Sequence, residues 1–197
     1  MTQVMKTQRK IGVLVGSLRR GSIGAGLART LQGISPIDLV LELVPIGDLP
    51  FYNEDDEEQT PASWRVFRER ILACDAVLFV TSEYNRSMPA VLKNAIDVGS
   101  RPKGQSVWNG KPAAIITFSP GNLGGFGANH HLRQSLVCLN VPTMAAPEIY
   151  LSGAAKLLDE RGAIANPETR AFLEHVMTSF GRWIEQNLRA WPEEDKT

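Results

Sequence analysis

The chain has few of the residues that usually announce a chemistry. Among 197 residues there are two cysteines and three histidines. Cys74 and Cys138 lie far apart, each inside an apolar helical pattern, which predicts buried free thiols and argues against a disulfide or a metal site. His130 and His131 are adjacent, so on a helix they point in different directions and make a poor metal pair; the third is His175. No Ser/His/Asp arrangement and no H-E-x-x-H is readable. Neither sign of charge is in excess: Lys plus Arg and Asp plus Glu both number 21. A nucleic-acid binder normally carries a basic surplus, so that class loses weight, and a net charge of +0 offers little repulsion against self-association. No apolar run approaches the length of a membrane span, and Met1 to Lys10 is polar with no signal-peptide core. The expectation is a cytoplasmic protein with no membrane and no nucleic-acid partner. Internal repeats and low-complexity tracts are absent too.

What is there is an ordinary globular composition, 43% hydrophobic and 21% charged, long enough for one domain with a large core. That domain is expected over residues 10–190, between a tail at 1–9 and a disordered tail at 191–197. The chain is organised around Ile11 to Gly24, I-G-V-L-V-G-S-L-R-R-G-S-I-G. Ile11 to Val15 reads as a buried strand, then the character turns to Gly, Ser and Arg, and a helical pattern follows. Strand, Gly-rich loop and helix start form a phosphate-cradling unit, because the N–H groups and dipole of the new helix favour an anion. Ser17 and Ser22 add hydroxyls and Arg19 adds a fork suited to phosphate. The loop contains neither G-x-G-x-x-G nor the P-loop pattern G-x-x-x-x-G-K-[ST], and no magnesium ligand is evident. The phosphate it suits is therefore an anchor and not a reactant.

Strand-like and helix-like apolar blocks then alternate, which marks a βαβ protein with a parallel sheet. The first helix runs from about Ser22 to Gln32 and the second strand from Asp38 to Val44. A connection from Pro45 to Thr60 carries the acidic run Glu54 to Glu58, which reads as a solvated face. Thr60 as N-cap and Pro61 open the next helix, which buries Trp64, Phe67, Ile71 and Leu72. The third strand is Ala76 to Thr81, apolar throughout and hence central. The helix after it takes Ser87 as N-cap, with Pro89 in its first turn and Met88, Leu92, Ala95, Ile96 and Gly99 on one face. The fourth strand is Pro112 to Phe118, and its following helix ends near Leu139. A short fifth strand is expected near Thr143 to Ala146, with an extended continuation from Glu148 to Leu151. Asn166 caps a last helix that opens at Pro167; the stripe Leu173, Val176, Met177, Phe180, Trp183, Ile184 and Leu188 reads as core packing.

In a parallel sheet the strand C-termini share one edge, where open α/β proteins bind ligands. Strands one, three and four each run into a polar loop there. Loop three carries Glu83, Tyr84, Asn85 and Arg86; loop four carries Ser119, Gly121, Gly124 and Gly125. An anchored phosphate, a flat tyrosine and exposed peptide groups suit a planar heteroaromatic cofactor with a phosphate tail, and FMN fits.

At these residues the chain resembles the NAD(P)H-dependent FMN reductases, in particular their chromate/quinone reductase branch. The carrying segments are G-S-L-R-R-G-S at Gly16 to Ser22, E-Y-N at Glu83 to Asn85 and L-K-N-A-I-D at Leu92 to Asp97. The Ser119 to Gly125 loop and H-L-R-Q at His131 to Gln134 complete them, over about residues 10–185. The resemblance implies an α/β flavodoxin-like fold, a five-stranded parallel sheet in the order 2-1-3-4-5 with helices on both faces, and FMN at the switch point. It implies that Ser17, Arg19 and Ser22 hold the phosphate, with Leu18, Ile23 and Gly24 in the same loop. It places Glu83, Tyr84, Asn85 and Arg86 along the isoalloxazine, and Ser119, Gly121, Gly124 and Gly125 at its other edge. It further implies NAD(P)H as donor, a small-molecule acceptor (quinone, and also chromate, free flavin, azo or nitro compounds), and dimers that pair into tetramers through the helices after loops three and four. Hydride moves through the flavin in a ping-pong sequence, so no catalytic side chain and no metal are required. Arg86 and Arg101 are candidates for stabilising negative charge on the ring or acceptor. Two departures stand out. Gly24 replaces an asparagine common in relatives, and Arg86 stands where relatives often carry an aromatic residue; Arg86 serves either an anionic substrate or a subunit interface. The competing class is a non-enzymatic flavodoxin-type electron carrier, although such carriers are typically strongly acidic.

Overall fold

Consecutive apolar residues at 11–15, 76–81 and 113–118 suit strands covered on both faces, and they form the middle of the sheet. The structure is a computed structural model that describes residues 7–160 and 162–190. Of the expected tails, residues 1–6 and 191–197 lie outside the described residues, and Arg9 already belongs to the first strand. Strands β1 (Arg9–Val15), β2 (Leu39–Leu43), β3 (Ala76–Ser82), β4 (Ala113–Phe118) and β5 (Tyr150–Leu151) form one sheet in the order β2-β1-β3-β4-β5. Every pair is parallel. This is the flavodoxin-like order. β3 is central, with Ala76 to Thr81 all buried, whereas β2 at one edge buries Leu39 and Leu41 and exposes Val40 and Leu43.

The fifth strand is displaced from its expected place. Near Thr143 the chain makes a single bridge to Ala113, and the strand proper is Tyr150–Leu151 against Thr117 and Phe118. Pro142 and Pro147 bracket the earlier segment and lack the amide donors that a ladder needs.

Helices α1 (Ile23–Ile34) and α5 (Pro167–Ala190) cover one face, packing Leu27, Leu31, Val176 and Phe180 onto Ile11, Leu78 and Val80. Helices α2 (Ala62–Leu72), α3 (Ala90–Ser100) and α4 (Phe126–Cys138) cover the other, packing Phe67, Ile71, Leu92 and Leu132 onto Leu14, Phe79 and Ile115. Asn166 caps α5 as expected, its side-chain oxygen accepting from the Glu168 and Thr169 N–H groups at 2.7 and 3.2 Å. The other two caps fall one or two residues later than expected. Pro61 and Pro89 hold extended backbone (φ −53°, ψ 139° and φ −58°, ψ 145°), so α2 and α3 start only after them. This frees the hydroxyls of Thr60, which donates back to the Glu57 carbonyl at 2.8 Å, and of Ser87, which turns to α4.

Three further expectations are corrected. Leu72 is exposed at the end of α2. Cys74 is buried, and burial pushes its thiol pKa up, but Cys138 is exposed on the last turn of α4. The acidic run is only partly solvated. Glu54 to Glu57 form a 3-10 turn, and Arg101 donates to Glu54, Glu57 and the Tyr52 hydroxyl at 2.8 to 2.9 Å. The Tyr52 hydroxyl and then Arg101 hold the Glu57 carboxyl below its ordinary range.

Candidate functional site

Pairing in register aligns the ends of the three central strands. Val15 stands opposite Val80, and Ser82 opposite Phe118. The loops after β1, β3 and β4 therefore open on one edge. The first two touch directly. The Gly16 N–H donates to the Val80 carbonyl at 3.0 Å, and a Cβ on Gly16 would strike the Thr81 hydroxyl.

Loop one ends in a capped helix. Ser22 is buried and its hydroxyl accepts from the Ala25 N–H at 3.2 Å. The first turn of α1 carries no acidic residue. Arg19 and Arg20 are exposed, and neither side chain has a partner among the described residues. The Arg19 N–H reaches the Ser17 hydroxyl at 3.5 Å. A helix start with free cations and no acid is an anion site in waiting. Leu18 is exposed and lies over Gly47, while Ile23 packs on the core beneath α1. Gly24 is buried. A Cβ there would lie 3.1 Å from Val15 and 3.2 Å from the Phe118 ring, so glycine brings α1 down onto the sheet. A side chain here would require Val15 or Phe118 to give way by a few tenths of an ångström.

Loop three is a tight turn. Tyr84 and Ser87 exchange backbone hydrogen bonds at 2.8 and 2.9 Å, and the two residues between them are left-handed, Asn85 at φ 51° and Arg86 at φ 66°. This is the primed turn that links twisted strands, and it suits asparagine far better than arginine. The Asn85 and Arg86 N–H groups find no acceptor among the described residues. The Tyr84 ring is half exposed. Glu83, by contrast, is committed. One oxygen accepts from the Ala128 N–H of α4 at 3.2 Å and the other from Arg86 at 3.3 Å. Its carboxylate latches loop three to α4. The Ser87 hydroxyl adds a second latch, 2.6 Å from His131 Nδ1. Sequence reading missed this pair: both residues stand out in the chain, but 44 positions apart.

Loop four is braced from behind. Ser119 donates its N–H to Leu151 at 3.1 Å and its hydroxyl to the Gly121 carbonyl at 3.2 Å. Gly125 caps α4 at φ 83°, where a Cβ would lie 2.8 Å from Thr117. Gly124, at φ 58°, sits against the Tyr150 backbone. Gly121 faces open ground, with nothing within 4 Å of a Cβ. Beside the loop, Phe126 packs on His130 and Tyr150 with ring centroids 4.1 and 5.5 Å away. Burial first, and Glu148 second, push the Tyr150 hydroxyl up to about 12, so it keeps its proton at neutral pH.

One site expectation moves elsewhere. Arg101 follows the last residue of the 11-residue α3, about 16 Å of helix from loop three. Its fork is held by Tyr52, Glu54 and Glu57, so within this chain it does not reach the edge. Asn94, from the shared L-K-N-A-I-D segment, is buried and structural. It accepts from the Tyr52 N–H at 2.8 Å and donates to the Leu49 and Pro50 carbonyls. Two hollows lie away from this edge, one between α2 and the loop after α3, another beside Cys74 and Lys111. At the three-loop edge, exposed Leu18, Tyr84 and Leu123 form a shelf.

The shelf fits FMN. A free guanidinium waits at an acid-free helix start, and unclaimed N–H groups flank an exposed tyrosine. The Ser82 hydroxyl, at the end of β3, is buried with no partner, and leaving such a group unpaired costs about 1–3 kcal/mol. Among the described residues no cluster of three His, Cys, Asp or Glu is placed to hold a metal ion. None of their helices is long and apolar enough to cross a membrane.

A five-stranded parallel sheet in the order β2-β1-β3-β4-β5, with polar loops after β1, β3 and β4 on one edge, defines a flavodoxin-like protein. The chain belongs to the NADPH-dependent FMN reductase family, whose model matches residues 9–156. It is 54% identical over 178 residues to a quinone reductase of Pseudomonas putida, covering 90% of this chain and 95% of that one. It is 44% identical over 175 residues to a 2-hydroxy-1,4-benzoquinone reductase of a Burkholderia species, covering 89% and 96%. Among solved structures, the flavoenzyme NAD(P)H:(acceptor) oxidoreductase FerB of Paracoccus denitrificans superposes with a TM-score of 0.86 at 40% identity, covering 91% and 98%. The chain is thus an oxidoreductase with FMN as cofactor and NAD(P)H as electron donor.

Proposed function

We propose that this protein is an NAD(P)H-dependent quinone reductase, built as one FMN-binding domain over residues 10–190 and active in the cytoplasm. The observation that carries the reading is the Arg19 fork, without a partner among the described residues at the acid-free start of α1, on the same edge as a turn whose Asn85 and Arg86 N–H groups find no acceptor among those residues. Ser17, Arg19 and Ser22 hold the phosphate, and Leu18, Ile23 and Gly24 shape the loop around it. Tyr84, Asn85 and the turn N–H groups line the ring from one side. Ser119, Gly121, Gly124 and Gly125 line it from the other. Glu83 and Ser87 fix loop three against α4 so that those donors are already in place when ligand arrives. The chemistry FMN supplies when bound is two-electron transfer, hydride taken from NAD(P)H and electrons given to an acceptor, the two substrates using the site in turn. The names of the relatives support quinones as acceptors. Chromate, free flavin, and azo or nitro compounds are further acceptors, since the open shelf sets no size limit.

The active form is a dimer, pairing into a tetramer through α3 and α4. Exposed Phe126 and Val137 on α4, and the balanced net charge, support this. The test is the visible spectrum of purified, desalted protein before and after NADPH without air. A flavin spectrum that bleaches, followed by steady NADPH oxidation with a quinone and parallel double-reciprocal lines, is the expected result. A colourless protein that takes up no added FMN sinks the reading.

A further inference from the structure

We propose that Arg86 selects the acceptor, favouring anionic hydroxyquinones over neutral quinones; the inference rests on the quinone-reductase reading above. Folding gives no reason for arginine at this position. The second central residue of a primed turn is left-handed, and glycine or asparagine holds φ 66° more easily. The turn is also tied to α4. Its carbonyl lies close to that helix, where a Cβ added to Gly127 would come within 2.8 Å of the Arg86 oxygen, and the Ser87 hydroxyl lies 2.6 Å from His131 Nδ1. The guanidinium is thus displayed from a turn tied to a helix.

Its charge is largely unspent. The side chain is 74% exposed, and among the described residues it makes one long bond, 3.3 Å from Nη1 to Glu83. Glu83 in turn shares its carboxylate with the Ala128 N–H. The Nε and Nη2 donors of the Arg86 fork have no partner among the described residues. The fork hangs from the same turn as Tyr84 and Asn85, beside the ground where an acceptor meets the ring.

A deprotonated 2-hydroxy-1,4-quinone is a vinylogous carboxylate, ionised at neutral pH. Its oxido oxygen and the neighbouring carbonyl oxygen sit on adjacent carbons, so both can accept from one guanidinium fork. An unsubstituted quinone offers no charge and no such pair. The reaction balances as hydroxyquinone anion plus NAD(P)H plus two protons giving the neutral triol plus NAD(P)+. The quinone is reduced by two electrons, and the nicotinamide is oxidised by two.

The test compares FMN-loaded wild type, R86A and R86K with 2-hydroxy-1,4-benzoquinone and 1,4-benzoquinone. The expected result is that R86A lowers kcat/KM for the hydroxyquinone about tenfold more than for the neutral quinone, through KM, while R86K recovers most of the difference. Equilibrium binding to the oxidised protein, read from the flavin absorbance, weakens by the same factor in R86A, and added salt erodes the wild-type preference. Three results overturn the proposal. One is an equal loss for both quinones. Another is a change confined to NADPH against NADH, which would assign Arg86 to the donor's 2′-phosphate. The third is a drop in assembly mass for R86A, which would make it an interface residue. A wild type that reduces neither quinone removes the functional reading instead, and the binding titration then still decides whether Arg86 holds the anion.

Discussion

Arg19 has no acidic partner among the described residues. Its fork stands free at the start of α1, where a phosphate dianion gains both the charge and the helix N–H groups. Replacing it by alanine should weaken FMN binding about tenfold or more, measured by fluorescence titration of the apoprotein. Gly24 marks the opposite situation, a position with no spare volume. An asparagine side chain there would push against Val15 and Phe118, so G24N should cost about 1–3 kcal/mol in urea unfolding without tightening FMN. At this scale the sequence told residue types well and partners poorly. Glycines, hydroxyls and an arginine in loop one suffice to suggest a phosphate. That Glu83 turns away to α4, and that Arg101 is tied down by Tyr52 and Glu57, depends on contacts 44 to 49 positions apart, which no local pattern encodes.

At the scale of elements, the most consequential join is between loop three and α4. Glu83 supplies the first turn of α4 with the acceptor that Gly125, having no side chain, does not. Removing that acceptor should loosen the turn and the helix together. E83A should lose about 1–2 kcal/mol of stability and part of its FMN affinity, whereas E83Q, which keeps an oxygen for the Ala128 N–H, should lose much less. Urea unfolding with and without FMN measures both. The elements themselves were largely legible, because apolar runs and 3.6-residue stripes report which faces are buried. The errors gathered at prolines. Pro61 and Pro89 delay their helices, and Pro142 and Pro147 turn an expected strand into a bridge, since the missing amide decides which neighbouring residue can pair.

For the whole molecule, ion pairs fasten distant parts of the chain. Arg9 in β1 binds Glu185 of α5 at 2.7 Å, and Arg101 binds Glu57 at 2.9 Å. Arg9 holds the Glu185 carboxyl below its ordinary value of 4.5, as Tyr52 and Arg101 do for Glu57. A depressed carboxyl contributes fully above its unfolded value and loses that contribution as pH falls through the folded one. Stability should therefore fall below the ordinary glutamate range. Urea midpoints at about pH 7 and about pH 4 should differ less in an E185Q/E57Q double variant than in wild type. The parallel sheet was readable from the alternation of blocks and its strand order from the family resemblance, while these cross-links were not.

The open shelf carries a last consequence. Within one chain Leu18, Tyr84 and Leu123 all stand at least half exposed around it. On the proposed function, a shelf shaped in this way discriminates by attraction and has little means of exclusion. It would hold a favoured molecule longer without turning an unsuitable one away. Narrowing its diet calls for masonry and not for better hydrogen bonds, and the vacant lot is Gly121.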